Sequence, residues 1–279
     1  MSFILIRGGG DLASGVALRL HQSGLPVMIC ELPMPLALRR RVCFASAVYS
    51  GCVQIEGCHA CRVDDFDDTA LINRILAKKT IPVLIDPDGE AVRLFNPKVV
   101  VDGRMLKAGG ERRPESALLI GLGPGFIAGE DCDAVIETMR GRATGRVIWA
   151  GSAEPQTCDT EEVGGYREAR LLRAPADGLV ETCVDIGDHV GQGQTLVQIG
   201  SHFLSAGFNG IVRGMIHPGL MVKRGMKIVE IDPRDDPGVC VKISERSMAV
   251  AEGVLQAIRS RCDPLEFESR VVRQQTQLV

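Results

Sequence analysis

Aromatic residues are scarce in this chain: one Trp, two Tyr and eight Phe, 4% of 279 residues. Such a sequence has little with which to stack the bases of single-stranded nucleic acid. A large excess of one charge is also missing. The 32 basic and 35 acidic side chains leave a formal charge of −3, which offers no electrostatic footprint for nucleic acid or an anionic membrane. Neither partner is expected. Long apolar runs are absent too. The longest, from Ala117 to Ala128, is broken by Gly121, Gly123, Pro124 and Gly125, so no transmembrane helix is expected there. The apolar opening up to Arg7 is too short for the core of a signal peptide. There is no G-x-S-x-G, no H-E-x-x-H and no P-loop, which weakens hydrolase and kinase readings. No catalytic residue can be named, and His21, His189, His202 and His217 are scattered without a metal or triad pattern.

The chain does have the composition of a soluble globular protein, 45% hydrophobic and 24% charged, and enough length for two ordinary domains. Its ten cysteines, without a signal sequence, read as reduced thiols in the cytoplasm rather than a disulfide framework. Phe3–Arg7 is a strand-like run ending in Gly8-Gly9-Gly10-Asp11. A helical pattern with Leu12, Val16 and Leu20 on one face follows to Gly24, and Val27–Cys30 is a second apolar run. Strand, turn, helix and strand within about 30 residues make a βαβ unit on a parallel sheet. Pro33 and Pro35 open an expected helix to Tyr49, and Cys52–Glu56 with His59–Val63 reads as a hairpin around Gly57. Helices are expected over Thr69–Lys79 and Asp131–Arg140. Strands are expected at Pro82–Ile85, Val99–Val101, Leu118–Gly121 and Arg146–Trp149, and a loop at Ser152–Gly165. The alternation predicts an α/β Rossmann-like domain over residues 1–165.

Beyond it the sequence repeats. Ala174–Gly200 aligns without gaps on Ala206–Asp232, pairing Gly178 with Gly210, Gly187 with Gly219, Val190 with Val222, Gly193 with Gly225 and Val197 with Val229. Asp177-Gly178 and Asn209-Gly210 supply matching hairpin turns. The duplication predicts an all-β barrel-sandwich hybrid (biotinyl/lipoyl-like) domain over 166–236. The segment joining its halves, Gly200–Ser205, holds no carrier lysine, which favours a scaffold over a swinging arm. Residues 237–279 are expected to form a C-terminal helix, Glu245–Ser260 capped by Ser244, and a polar tail after Pro264.

Two glycine loops carry the candidate chemistry. Gly8, Gly9, Gly10, Asp11, Leu12 and Ala13 fit G-x-G-x-x-G/A between a strand and a helix, the context in which a pyrophosphate meets a helix N-terminus. Glu31 ends the next strand, where a ribose-binding acid stands. The alternative is a glycine turn that only packs the helix on the sheet, and Asp11 would repel a phosphate. Gly121, Gly123, Pro124 and Gly125 form a second loop after a strand, placing both loops at the carboxyl ends of a parallel sheet. Asp131, Glu137 and Arg140 on the expected helix either face that loop or are solvated. Of Arg39, Arg40 and Arg41, one or two can reach an anion at the rim beside Glu31, since helical neighbours diverge by about 100°. Cys52, Cys58, His59 and Cys61 hold a Cys-x-x-Cys half-site without a second half, so buried thiols are preferred to zinc. No metal is expected. The ligand these residues point to is a nucleotide such as NAD(P); the resemblance described next adds a molybdopterin-type cofactor.

Several stretches in combination resemble one family. They are Ile6–Gly15, Pro35–Arg40, Phe44–Gly51, Gly121–Gly129 and Val135–Gly141. They are similar to the selenium-dependent molybdenum hydroxylase accessory (YqeB-like) family over roughly residues 1–260, with Arg142 standing where relatives are expected to carry histidine. The resemblance implies maturation or insertion of a labile molybdenum cofactor in purine/xanthine-type hydroxylases. Hydroxylase apoprotein or maturation factors are then the partners, a homo-oligomer is compatible, and a dinucleotide or pterin phosphate is the ligand. A free-standing NAD(P)-dependent oxidoreductase and a non-catalytic docking scaffold are the alternatives.

Overall fold

The computed structural model describes residues 3–107, 117–155, 161–234, 236–263 and 267. The middle of the expected loop at 152–165 and most of the tail after Pro264 lie outside them. The chain builds two compact units. One takes Met1–Pro35, Phe44–Thr157 and Ile243–Val279, the other Leu36–Cys43 and Cys158–Lys242. The division is therefore not sequential, and the last helix belongs with the first unit.

The first unit runs β1 (Ile4–Arg7), α1 (Asp11–Gln22), β2 (Val27–Glu31), α2 (Ala47–Ser50), β3 (Cys52–Ile55), β4 (Cys58–Val63), α3 (Thr69–Ala77) and β5 (Ile81–Ile85). It continues with α4 (Glu90–Phe95), β6 (Val99–Asp102), β7 (Leu118–Leu122), β8 (Ile127–Ala128), β9 (Ala134–Ile136), β10 (Val147–Ile148) and β11 (Gly151–Ser152). Nine strands form one sheet in the order β10-β9-β7-β6-β1-β2-β5-β4-β3, and β8 pairs with β11 apart from it. Pairing is parallel from β4 through to β9 and antiparallel at both edges, β3 on β4 and β10 on β9. Ile4, Leu5 and Ile6 of β1 and Val99, Val100 and Val101 of β6 are buried without alternation, the pattern of strands covered on both faces.

Local chemistry explains several element ends. Asp68 accepts from the Leu71 N–H (2.8 Å) and caps α3. Glu56 and Gly57 both have positive φ, 46° and 81°, so the β3–β4 hairpin closes on a two-residue primed turn. Cys52 and Cys61 stand directly opposite each other on that hairpin and are joined in a disulfide. This corrects the expectation that all cysteines are reduced: an antiparallel register brings together thiols that sequence spacing treats as separate.

The second unit has β12 (Leu171–Arg173), β13 (Gly178–Thr182), β14 (His189–Val190), β15 (Thr195–Ile199), β16 (His202–Ser205), β17 (Gly210–Met215), β18 (Met221–Val222), β19 (Lys227–Asp232) and the short α5 (Gly238–Val241). Two four-stranded antiparallel sheets result, β12-β19-β17-β14 and β16-β15-β13-β18. The repeat exchanges them strand for strand: β12 answers to β16, β13 to β17, β14 to β18 and β15 to β19. Inside this unit Arg170 is 1% exposed, with Glu230 at 2.9 Å and Asp232 at 3.5 Å, and Arg213 and Arg234 complete the cluster. Burial lowers the Arg170 pKa from its ordinary value, against the two carboxylates. The chain then returns to the first unit with α6 (Glu245–Arg261), capped by Ser244, whose hydroxyl accepts from the Ser247 N–H (3.1 Å).

The expected fold, a Rossmann-like domain followed by a barrel-sandwich hybrid, is corrected by this arrangement. A unit assembled from three chain segments around a nine-stranded mixed sheet with antiparallel edges replaces the sequential alternation of strand and helix. Residues 33–49 form no long helix but two 3-10 turns and the four-residue α2. Asp131–Arg140 is not a helix either, since Ala134, Val135 and Ile136 are buried together as β9. The second unit also draws on Leu36–Cys43, far upstream of the repeat.

Candidate functional site at the carboxyl edge of the mixed sheet

Parallel strands deliver their C-terminal ends to one edge, the side on which open α/β sheets hold ligands. Here most of the apolar runs stop on a charged residue: Arg7 ends β1, Glu31 ends β2, Asp86 follows β5, Asp102 ends β6 and Glu137 follows β9. The carboxylates are tied into the backbone. Glu31 Oε2 accepts from the Gly9 N–H (2.6 Å) and Oε1 from the Leu32 N–H (2.7 Å). Burial raises the Glu31 pKa from its ordinary value, and those two N–H bonds oppose the rise. Asp86 accepts from the Glu90 (2.8 Å) and Ala91 (3.0 Å) N–H groups and so caps α4. Cys30 lies beside it, its thiol pushed well up by burial and then by the Asp86 charge, with Arg7 working the other way.

Asp102, 3% exposed, takes Arg104 Nη2 at 2.6 Å and has Arg7 Nη1 at 3.8 Å. Glu137, fully buried, accepts from the Met139 (2.7 Å) and Glu154 (2.8 Å) N–H groups. This edge is acid-rich, and each of these carboxylates is hydrogen-bonded. Among the described residues no group of three or more His, Cys, Asp or Glu is placed to hold a metal ion.

Both glycine loops reach this edge, on either side of β6. A Cβ on Gly9 would lie 2.8 Å from the Ala45 nitrogen, whose N–H donates to the Gly9 carbonyl (2.9 Å). Gly8 has φ +93°, while Gly10 faces open space with nothing within 4 Å. Asp11 accepts from the Ser247 hydroxyl (3.2 Å), and Leu12 and Ala13 are buried on α1. In the second loop a Cβ on Gly121 would meet the Phe126 ring and one on Gly125 the Leu106 carbonyl. Gly123 has φ +80° and donates to the Ile136 carbonyl (3.0 Å), while Pro124 is half-buried beside it. Most of these glycines are required by close packing.

The expected ligand residues Glu31, Arg39 and Arg40 all have partners within the chain. Glu31 does not stand free for a ribose, because its carboxylate holds the N–H of Gly9 that a pyrophosphate would need; the dinucleotide fingerprint is closed on itself. Arg39 and Arg40 belong to the second unit and are bonded within it. Arg39 Nη2 donates to the Lys242 carbonyl (2.8 Å), Arg40 Nε to the Met215 carbonyl (2.6 Å), and Arg40 Nη2 pairs with Asp185 (2.9 Å). Cys58 is buried, its thiol pushed up to about 11 by burial, and His59 is exposed. Sequence reasoning missed Arg7, Asp86, Asp102 and Arg104. The signal was present: an apolar run that stops abruptly on a charge, repeated strand after strand.

No family model matches the chain. A curated relative, the uncharacterized protein YqeB of Escherichia coli (strain K12), is 39% identical over 256 residues, 91% of this chain and 47% of the relative. The chain thus spans about half the length of that relative. Among solved structures, a succinylglutamate desuccinylase/aspartoacylase of Rhodobacter sphaeroides is 26% identical over 24% of this chain and 23% of its own, with a TM-score of 0.21. The product-bound ectoine utilization protein EutE of Ruegeria pomeroyi is 16% identical over 62% and 52%, with a TM-score of 0.22. An aspartoacylase family protein of Mesorhizobium loti is 10% identical over 84% and 86%, with a TM-score of 0.26. Scores this low transfer neither fold nor activity. None of these structures is named for molybdenum, selenium or xanthine dehydrogenase maturation. On sequence, the chain is a homologue of the Escherichia coli protein YqeB.

Proposed function

We propose that this chain is an accessory protein of selenium-dependent molybdenum hydroxylases, acting in maturation or insertion of the molybdenum cofactor of purine/xanthine-type enzymes. Its partners on this reading are the hydroxylase apoprotein or other maturation factors, and its place is the cytoplasm. The cofactor, with its pterin phosphate, is cargo.

One observation carries the proposal. Four of the five stretches that resemble the family, Pro35–Arg40 being the exception, meet at the carboxyl edge, two from the start of the chain and two from beyond residue 120. Phe44–Gly51 is bonded onto Ile6–Gly15 through Ala45 to Gly9 (2.9 Å) and through the Phe44 N–H to the Ser14 hydroxyl (2.8 Å). Gly121–Gly129 is bonded onto Val135–Gly141 through Gly123 to Ile136 (3.0 Å). A shared core would scatter such stretches through the sheet, whereas a shared site gathers them at one end of it. Gly10 is the open position there, in front of the N-terminus of α1, where the helix dipole favours an anion. The committed carboxylates favour holding and presenting cargo over acid–base catalysis.

Native purification followed by mass spectrometry of released small molecules and captured proteins tests the reading. A pterin cofactor or a hydroxylase subunit is expected, and Gly10→Val should remove the pterin while leaving the fold intact. Full hydroxylase activity and metal content in cells lacking this chain would sink the proposal.

A further inference from the structure

We propose that the Cys52–Cys61 bridge is a thiol–disulfide exchange site open to small thiols and dithiols, with Cys52 the sulfur attacked and Cys61 the leaving thiolate. The inference does not depend on the accessory function above. It starts from position. Among the described residues β3 is the outermost strand of the nine and pairs only with β4, and the two cysteines are directly opposite in that register. Cys52 is exposed and Cys61 half-buried. Of the other described cysteines, Cys30, Cys43, Cys58, Cys132 and Cys240 are buried, while Cys183 is exposed and Cys262 half-buried, neither of them in a bridge.

A thiolate displaces a disulfide sulfur along the line of the bond it breaks, and access decides which sulfur reacts. In this hairpin that line crosses the ladder from β4 to β3. Approach to Cys52 comes from beyond the free edge of the sheet. Approach to Cys61 has to come over β5, where the buried Pro82 is its register partner. The asymmetry selects Cys52.

The chemistry balances with two equivalents of thiol. The incoming thiolate forms a bond to Cys52 Sγ, the Cys52–Cys61 bond breaks, and the electron pair leaves on Cys61 Sγ, which takes a proton from water. A second thiolate, the other arm of a dithiol or a second molecule, then attacks the donor sulfur of the mixed disulfide and expels Cys52. The protein gains two electrons as two thiols, and the donor is oxidised to a disulfide; the reverse sequence restores the bridge.

The hairpin is held by other means in both states, so exchange needs no unfolding. Ile55, Cys58 and Ala60 are buried, and Glu56 accepts from the Ile243 N–H (2.7 Å). The Arg62 N–H donates to the Gly51 carbonyl (2.7 Å), and Arg62 Nη1 donates to the Val48 carbonyl (2.6 Å). Cys58 does not compete, because burial holds its thiol protonated, at a pKa of about 11.

The test equilibrates the full chain with graded ratios of reduced and oxidised glutathione or dithiothreitol, quenches with an alkylating reagent and reads each cysteine by mass spectrometry. Cys52 and Cys61 should move together between bridged and alkylated forms without denaturant, while Cys58 stays unmodified. Cys61→Ser should trap glutathione on Cys52, and Cys52→Ser should leave Cys61 at least ten-fold slower to form the mixed disulfide. A bridge reduced only after denaturant unfolds the chain would overturn the proposal, as would equal rates in the two variants or free Cys52 and Cys61 in the oxidised protein.

Discussion

Replacing Gly15 by alanine sets two effects of opposite sign against each other. Gly15 lies inside α1, where alanine is favoured over glycine by about 1 kcal/mol through helix propensity alone. The same methyl would stand 2.8 Å from the Ser247 Cβ and 2.9 Å from the Ser247 carbonyl oxygen on α6. Carbon atoms pack at about 3.5–4.0 Å, so the two helices must part by something near ~1 Å. Overpacking of a closed contact costs about 1–3 kcal/mol, and the bond from the Ser247 hydroxyl to Asp11 (3.2 Å) stretches with it. The expected net result is a loss of about 1–2 kcal/mol, with Tm falling by about 2–4 °C for each kcal/mol. Thermal and urea unfolding followed by circular dichroism measures it against Gly10→Ala, which meets nothing within 4 Å and should match the parent. If Gly15→Ala raises the midpoint, propensity has won and α6 does not seat on α1 as described.

Asp102→Ala should cost about 3 kcal/mol in a urea titration, because it leaves the buried Arg7 without this counter-charge; a change below the level of an exposed substitution would refute the pairing. Glu31→Gln tests the raised carboxyl. The folded chain binds that proton more tightly than the unfolded chain, so the contribution is full below about 4.5 and is lost as pH rises through the folded value. The variant should flatten the stability profile just above 4.5, and an unchanged slope contradicts the assignment. Asp232 has the opposite sign. Burial works to raise its pKa, but the Arg234 bond and the guanidinium charges bring it below 3.8, so its contribution is present above 3.8 and is lost as pH falls through the folded value. Asp232→Asn should weaken the protein at pH 7, with the difference closing in acid.

Much of the local structure was legible because its causes are local. Strands β1, β2, β5, β6 and β7 announce themselves as apolar runs, α3 by the acidic residues in front of Thr69, α6 by its cap Ser244, and the β3–β4 hairpin by Gly57. The duplication was legible for another reason: two copies folded under the same physics must place equivalent strands equivalently, and the exchange of β12–β15 with β16–β19 follows from the alignment. What failed had non-local causes. Ala134-Val135-Ile136 is as apolar as a helix face, and only pairing with β7 and β10 makes it a strand. Cys52 and Cys61 are nine positions apart on paper, and only the antiparallel register bonds them.

The glycine loop at Gly8–Ala13 was visible as a motif, but its state was not. Whether Glu31 waits for a ligand or closes onto Gly9 depends on where β2 ends relative to β1, a register set by the whole sheet. Arg39 and Arg40 follow Glu31 closely in sequence, yet the chain leaves the first unit at Leu36 and spends both guanidinium groups on the second. The sequence by itself determined the apolar strands β1, β2, β5, β6 and β7, the repeat and the positions where glycine is needed. Tertiary structure alone decided which chain segments share a unit and which carboxylates meet at the sheet edge, because those depend on pairings between residues that the order along the chain keeps apart.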